Sequence, residues 1–181
     1  MSSSEQATIQ ETDLTQDARP LGKLAGFIDR ADPGTKAALA RLDPSNLKPH
    51  QIAALSRALV AAGLEPEKWH LKNWNCWALV AHGMALAGHS KGRLGAQLAS
   101  AGIAESRVTK LLVSRGEAFL QIVPRLLRLL ASKQTSPNWY ELSDLIFWDD
   151  TIDPIKHAKV EDRRRKVAGD YFAALQHANK H

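Results

Sequence analysis

The fold class of this chain is decided by residues 104–130, which read AESRVTKLLVSRGEAFLQIVPRLLRLL. Apolar side chains recur every three or four positions in this stretch, which is the period of one face of an α-helix. In the first half the repeat is formed by Ala104, Val108, Leu111 and Leu112. A second, longer helix is expected from Glu117 to about Lys133, with a kink at Pro124. The stretch therefore predicts two consecutive amphipathic helices.

The helical period continues on both sides of this stretch. We expect further helices over about residues 21–28, 37–42, 49–62, 71–87, 94–101, 137–148 and 157–178, and a turn over residues 32–34 (Asp-Pro-Gly). Four tryptophans have apolar neighbours and are expected in the core: Trp74, Trp77, Trp139 and Trp148. No segment alternates apolar and polar residues as a strand would. The sequence thus predicts an all-α fold of eight or nine helices in two small packed bundles.

Composition divides the chain into three parts. Residues 1–18 are rich in Ser, Thr, Gln and acidic side chains, so we expect a disordered tail. An N-terminal helical subdomain is expected over residues 19–90, and a C-terminal subdomain that carries the basic surface over residues 91–181. The single cysteine, Cys76, excludes a disulfide within the chain and fits a reducing, cytoplasmic setting. No secretory leader and no membrane-spanning run is recognised, so no membrane partner is expected.

The positive charge is concentrated in one window of the sequence. Residues 1–85 carry nine basic and nine acidic side chains, and residues 136–181 carry seven and eight. Residues 86–135 carry eight basic side chains against two acidic ones, a net charge of +6, which accounts for the whole excess of +5 in the chain. A local positive field of this kind attracts polyanions, so the window predicts nucleic-acid binding.

The basic side chains fall on defined helix faces. Arg107 and Lys110 lie three positions apart, beside the apolar stripe of the first helix. Arg125 and Arg128 belong to a narrow polar line on the second helix, which is otherwise apolar. If the two helices pack side by side, these four residues form one stripe that suits phosphate rather than base edges. The full set of candidate nucleic-acid-binding residues is Arg107, Lys110, Arg125, Arg128, Arg115, Lys91, Arg93 and Lys133.

Other candidate sites in the sequence are weaker. The run Arg163–Lys166 is flanked by acidic residues and is typical of an exposed helix face. Asp149, Asp150 and Asp153 have no further ligand at metal-binding spacing, so no metal is expected. The sequence holds no zinc, phosphate-loop, dinucleotide or nucleophile motif. We therefore expect no cofactor and no enzymatic activity.

Four motifs in the same order resemble a known family. They are LGAQLASAGIAESRVTKLL at residues 94–112, PRLLRLL at residues 124–130, WYELSDLIFWD at residues 139–149 and RRKVAGDYF at residues 164–172. Together they resemble the CasB family, the small subunit of the type I-E CRISPR Cascade surveillance complex, over about residues 52–175. Arg107 and Arg125 lie within the matched motif blocks.

The resemblance implies a non-catalytic, all-helical subunit in antiviral defence. It implies contacts with guide RNA and target DNA, with the backbone and large subunits of the complex, and with a second copy of the same chain. The basic surface is then expected to help stabilise the opened DNA. An alternative from the residues alone is a free transcriptional regulator, because the Gly102 turn between two helices also fits a helix-turn-helix.

Overall fold

The computed structural model describes residues 19–180, which contain nine α-helices, one 3-10 helix and no strand. The α-helices are α1 (Arg19–Arg30), α2 (Pro33–Ala40), α3 (Pro49–Ala61), α4 (Leu71–Ala87), α5 (Leu94–Ser100), α6 (Glu105–Val113), α7 (Gly116–Ser132), α8 (Trp139–Trp148) and α9 (Pro154–Ala178), and the 3-10 helix is Pro66–Lys68. The prediction of an all-α fold is confirmed. The expected disordered tail, residues 1–18, lies outside the described residues. None of the described helices is both long and apolar enough to cross a membrane.

Two helices, α2 and α9, begin three or four residues earlier than the sequence predicts. The turn expected at residues 32–34 is instead the start of α2: Asp32 caps the helix by accepting a hydrogen bond from the Thr35 N–H at 3.0 Å, and Pro33 occupies the first helical turn. Asp153 and Pro154 begin α9 in the same way. An Asp-Pro pair is therefore a helix start at both places, because proline lacks the N–H that the first turn cannot use.

The helices share one connected hydrophobic core. Trp77, Trp139 and Trp148 are buried in it, and Trp74 is half-buried at its edge. Helix α4 packs against α1, α2 and α3 and also against α7 and α8, so it joins the N-terminal and C-terminal halves of the core. The division into subdomains at residue 90 stays a prediction.

Close packing of α5 on α9 organises the C-terminal half. A Cβ added at Gly95 would lie 2.1 Å from the Val167 carbonyl oxygen of α9, so only glycine permits this approach. The Tyr171 hydroxyl on α9 donates a hydrogen bond to the Ile103 carbonyl at 2.6 Å. Glu141 of α8 accepts a hydrogen bond from the Leu94 N–H at the start of α5 at 2.7 Å. The motifs at residues 94–112, 139–149 and 164–172 thus meet where α5, α8 and α9 contact each other.

The start of α7 is anchored by a buried ion pair. Asp149 and Arg164 are each almost fully buried and contact each other, and Asp149 also accepts a hydrogen bond from the Gly116 N–H. Burial raises the pKa of Asp149, while the Gly116 N–H and Arg164 oppose that rise. Glu161 holds the other side of the Arg164 guanidinium. Asp149 therefore fixes where α7 begins, and with it the position of every side chain on that helix.

The expectation that the run Arg163–Lys166 is an exposed face is wrong for half of the run. Arg164 is buried against Asp149, and Arg163 is half-buried between Glu141 at 3.2 Å and Asp144 at 2.9 Å. Only Arg165 and Lys166 are exposed. Successive residues of a helix are about 100° apart, so four consecutive side chains point to nearly all sides and some must face inward.

Candidate nucleic-acid interface

A cleft of about 710 Å³ lies between α4, α7 and the loop that joins α2 to α3. Helix α4 lines it with Asn75, Leu79 and His82, which share one helix face. The loop and α7 form the other walls, with Arg41, Leu42, Asp43, Pro44, Ser45, Glu117, Leu120, Gln121, Pro124, Arg125 and Arg128. Two of the walls belong to α4 and α7, which pack against each other in the core.

Three arginines line this cleft. Arg41 follows the end of α2, whereas Arg125 and Arg128 lie one turn apart on α7, and all three side chains are exposed. Their guanidinium groups form no ion pair with any residue in the described range 19–180. Within residues 19–180, none of the three guanidinium groups is thus in contact with a carboxylate.

The two acidic side chains of the cleft are already engaged with neighbours. Asp43 accepts hydrogen bonds from the Ser45 N–H at 3.1 Å and the Ser45 hydroxyl at 2.6 Å, and these bonds lower its pKa. Glu117 accepts a hydrogen bond from the Gln121 amide at 3.2 Å. The two carboxylates balance part of the total charge, but neither contacts an arginine. The cleft therefore keeps a net positive charge with free guanidinium donors.

His82 lines the buried side of the cleft. Its side chain is only 5% exposed, and its Nδ1 has no hydrogen-bond partner among the described residues. Burial lowers the pKa of His82, and the charge of Arg128 lowers it further, while hydrogen bonding to the Ala40 carbonyl opposes the shift. The imidazole is therefore neutral at pH 7, and it adds a polar atom without adding charge.

Arg107 and Lys110 lie on α6, away from the lining of this cleft. Both are exposed and, among residues 19–180, neither forms an ion pair. Helix α6 packs against α7 and α9 through its buried residues Val108 and Leu111. The structure brings Arg125 and Arg128 together with Arg41, and the single stripe that would also include α6 stays a prediction.

Two of the other candidate arginines are already paired with acidic groups. Arg115 donates to the carbonyl groups of Leu112 and Ser114 at 2.7 and 2.9 Å and to Glu161 at 3.0 Å. Arg93 donates to Asp170 at 2.9 Å. A phosphate at either residue would have to compete with an existing carboxylate.

The two remaining candidate lysines, Lys91 and Lys133, are also exposed. Lys91 precedes α5, and Lys133 follows the last residue of α7. Neither makes an ion pair within the part of the chain that the structure describes. Both therefore remain available to a polyanion, although neither lines the cleft.

The sequence did not single out Arg41. It lies within residues 1–85, whose basic and acidic side chains are equal in number, so a count of charge along the chain hides it. Four of those nine acidic side chains belong to residues 1–18. Counting the folded helices apart from this segment would have exposed a second basic region around Arg41.

Comparison with known families identifies one match that covers most of the chain. The family model for CRISPR-associated protein Cse2 matches residues 35–172. Comparison with curated proteins and with solved structures finds no match. The matched range contains the three cleft arginines together with Arg107 and Lys110, whereas residues 1–18 lie outside it. Within the described part of the chain, no three His, Cys, Asp or Glu side chains are grouped to hold a metal ion.

Proposed function

This chain belongs to the CRISPR-associated Cse2 family, the small subunit of the type I-E Cascade complex, and on that premise we propose that its arginine cleft holds a nucleic-acid backbone. The observation that carries the proposal is that Arg41, Arg125 and Arg128 line one cleft and pair with no carboxylate of the described chain. A guanidinium group suits phosphate because its planar fork donates two hydrogen bonds at once.

The strand is guide RNA or the opened target DNA within the assembled complex. Contacts to phosphate and sugar fix the position of a strand without reading its sequence. In an RNA-guided complex the sequence is read by base pairing with the guide, so a subunit that holds backbone needs no base contacts. The cleft then stabilises the opened DNA during antiviral defence, and this role requires no chemical step from the chain itself.

Arg107 and Lys110 extend the same surface in this proposal. They are exposed and unneutralised within residues 19–180, and they lie on the helix that directly precedes α7. A strand that extends beyond the cleft carries further phosphates, and basic side chains outside the cleft would contact these. The backbone and large subunits and a second copy of this chain complete the path.

A free regulator of the helix-turn-helix type is the second candidate. Helices α5 and α6 are joined by a short turn in which Gly102 has a φ of 67°, and α6 exposes Ser106, Arg107, Thr109 and Lys110. Such a helix would read base edges and prefer one duplex sequence by several kcal/mol. Membership of the Cse2 family favours the Cascade subunit over this alternative.

Equilibrium binding to single strands of two unrelated sequences tests the proposal. Arg41→Ala, Arg125→Ala and Arg128→Ala should each weaken both complexes by a similar factor. Each should also reduce the slope of log affinity against log salt by about one. Arg165→Ala is the matched control, because Arg165 is exposed on α9 away from the cleft. Native affinity in all three cleft variants, or a strong preference for one sequence, would overturn the proposal.

A further inference from the structure

The charge of the chain is divided unevenly between its N-terminal segment and the rest. Residues 1–18 hold four acidic side chains and no basic one; the acidic residues are Glu5, Glu11, Asp13 and Asp17. Residues 19–181 hold 24 basic and 15 acidic side chains. That remainder has a net charge of +9, against +5 for the whole chain. The segment therefore cancels nearly half of the positive charge carried by the remainder.

The cleft offers a surface that these carboxylates fit. Arg41, Arg125 and Arg128 have no carboxylate partner within residues 19–180, and the two acidic side chains of the cleft are engaged by Ser45 and Gln121. A carboxylate accepts the same paired hydrogen bonds from a guanidinium group that a phosphate does. We propose that the acidic segment 1–18 occupies the arginine cleft and competes there with nucleic acid.

The segment is long enough to reach the cleft from α1. A chain of 18 residues spans at most about 60 Å when it is extended. A compact domain of the described size has a radius of gyration of about 15 Å, so its whole surface lies within that reach. Helix α1, which follows the segment, packs on α4, and α4 forms one wall of the cleft. Because the segment is tethered, its concentration at the cleft is on the order of millimolar.

The competition has a biological consequence only if the cleft binds nucleic acid, so it rests on the proposed function. Four carboxylates can be displaced by a strand that offers many phosphates in a row, but they compete well with short or sparse polyanions. A competing segment therefore lowers the binding of a free chain to stray nucleic acid more than its binding to a long strand. The segment lies outside the region that matches the Cse2 family, so this competition would be a property of this chain rather than of the matched region.

The first arm of the test measures affinity for a single strand at low salt. Two variants are compared with the native chain: deletion of residues 2–18, and full-length protein with Glu5→Gln, Glu11→Gln, Asp13→Asn and Asp17→Asn. Both should bind about three- to tenfold more tightly, and the gain should fade as salt is added. Each variant should still unfold cooperatively on heating, which shows that it remains folded.

A comparison of chains with and without the cleft arginines distinguishes competition for the cleft from a simple change of net charge. The same neutralising changes are repeated in a chain that also carries Arg41→Ala, Arg125→Ala and Arg128→Ala. Competition for the cleft predicts that the gain in affinity largely disappears in this background. An equal gain in both backgrounds would mean that the segment acts only through long-range charge, and it would overturn the proposal.

A second arm needs no nucleic acid. A nitroxide label at Thr15→Cys should broaden the side-chain amide NMR signals of Asn75 and Gln121, which line the cleft, and the triple arginine variant should remove the effect. Cys76 does not take the label, because it is buried and burial raises its pKa to about 11. No broadening in the native background would refute the proposal. Broadening in a chain that binds no nucleic acid would refute the proposed function and the competition, and would leave only the occupancy of the cleft by the segment.

Discussion

At the scale of single residues, Arg164 shows how one side chain of a charged run can become structural. Its guanidinium group is buried between Asp149 and Glu161, and its Nε has no hydrogen-bond partner in the described residues. The sequence gives the run four positive charges but does not say which of them faces the core. That choice depends on the rotation of α9 against α7 and α8, which only the packed structure fixes.

Removing one partner of this buried pair should destabilise the protein strongly. Arg164→Ala leaves the Asp149 carboxylate buried without its charge partner, which costs about 3–5 kcal/mol in the free energy of unfolding. The measurement is urea unfolding followed by circular dichroism. Arg165→Ala, one position along α9 and exposed, should change stability by less than about 0.5 kcal/mol. Equal effects of the two changes would show that the pair does not hold the start of α7.

His82 should make stability depend on pH. Burial and Arg128 lower its pKa in the folded state below the ordinary value of 6.5, so the unfolded chain takes up the proton more readily. The neutral imidazole contributes its full stability above the pKa that His82 has in the unfolded chain. This contribution is lost as the pH falls towards the lower pKa that His82 has in the folded protein. The melting temperature should therefore fall as the pH is lowered from about 7.5 to about 5.5.

The variant His82→Gln isolates this contribution. Its melting temperature should fall less over the same pH range, because the group that takes up the proton on unfolding is gone. His89 is also shifted downwards, with burial as the main cause, so part of the pH dependence should remain. An identical pH profile for native protein and variant would contradict the assignment to His82.

At the scale of helices, apolar periodicity predicted the elements well where a long stripe was present. The helix expected over residues 71–87 has those bounds in the structure, and α7 continues through Pro124 to Ser132. The starts of α2 and α9 were missed because an Asp-Pro pair is common both in turns and at helix starts. The cap hydrogen bonds of Asp32 and Asp153 decide between the two, and local sequence does not determine whether they form.

The contact of α5 with α9 can be tested with a pair of glycines. Gly95→Ala should destabilise the protein by at least about 1–3 kcal/mol, because its Cβ meets backbone atoms of α9 that cannot move aside. Gly169→Ala is the matched control, since no atom lies within 4 Å of its added Cβ. Alanine in a helix interior should stabilise there by about 0.5–1 kcal/mol. The expected result is two shifts of opposite sign in the urea midpoint, and equal shifts would contradict the packing.

At the scale of the whole molecule, the sequence singled out two of the three arginines that line the cleft, as members of a predicted basic stripe. Arg125 and Arg128 stood out because their helix is otherwise apolar, so its polar positions had to lie at the surface. Arg41 could not be assigned to the same site, because only the packing of α2 and α4 with α7 brings it there. Arg93 and Arg115 were grouped with the others by charge alone, and the fold gives both a carboxylate partner.

The most direct test of the central claim is the affinity of a charge-reversed cleft for a single strand. The double variant Arg125→Glu with Arg128→Glu is measured beside Arg165→Glu, with the melting temperature of each recorded. The cleft variant should remain folded and lose about two orders of magnitude or more in affinity, because two phosphate contacts become repulsive. The control should bind nearly as the native chain does. A folded cleft variant with native affinity would contradict the claim that the arginine cleft holds nucleic acid.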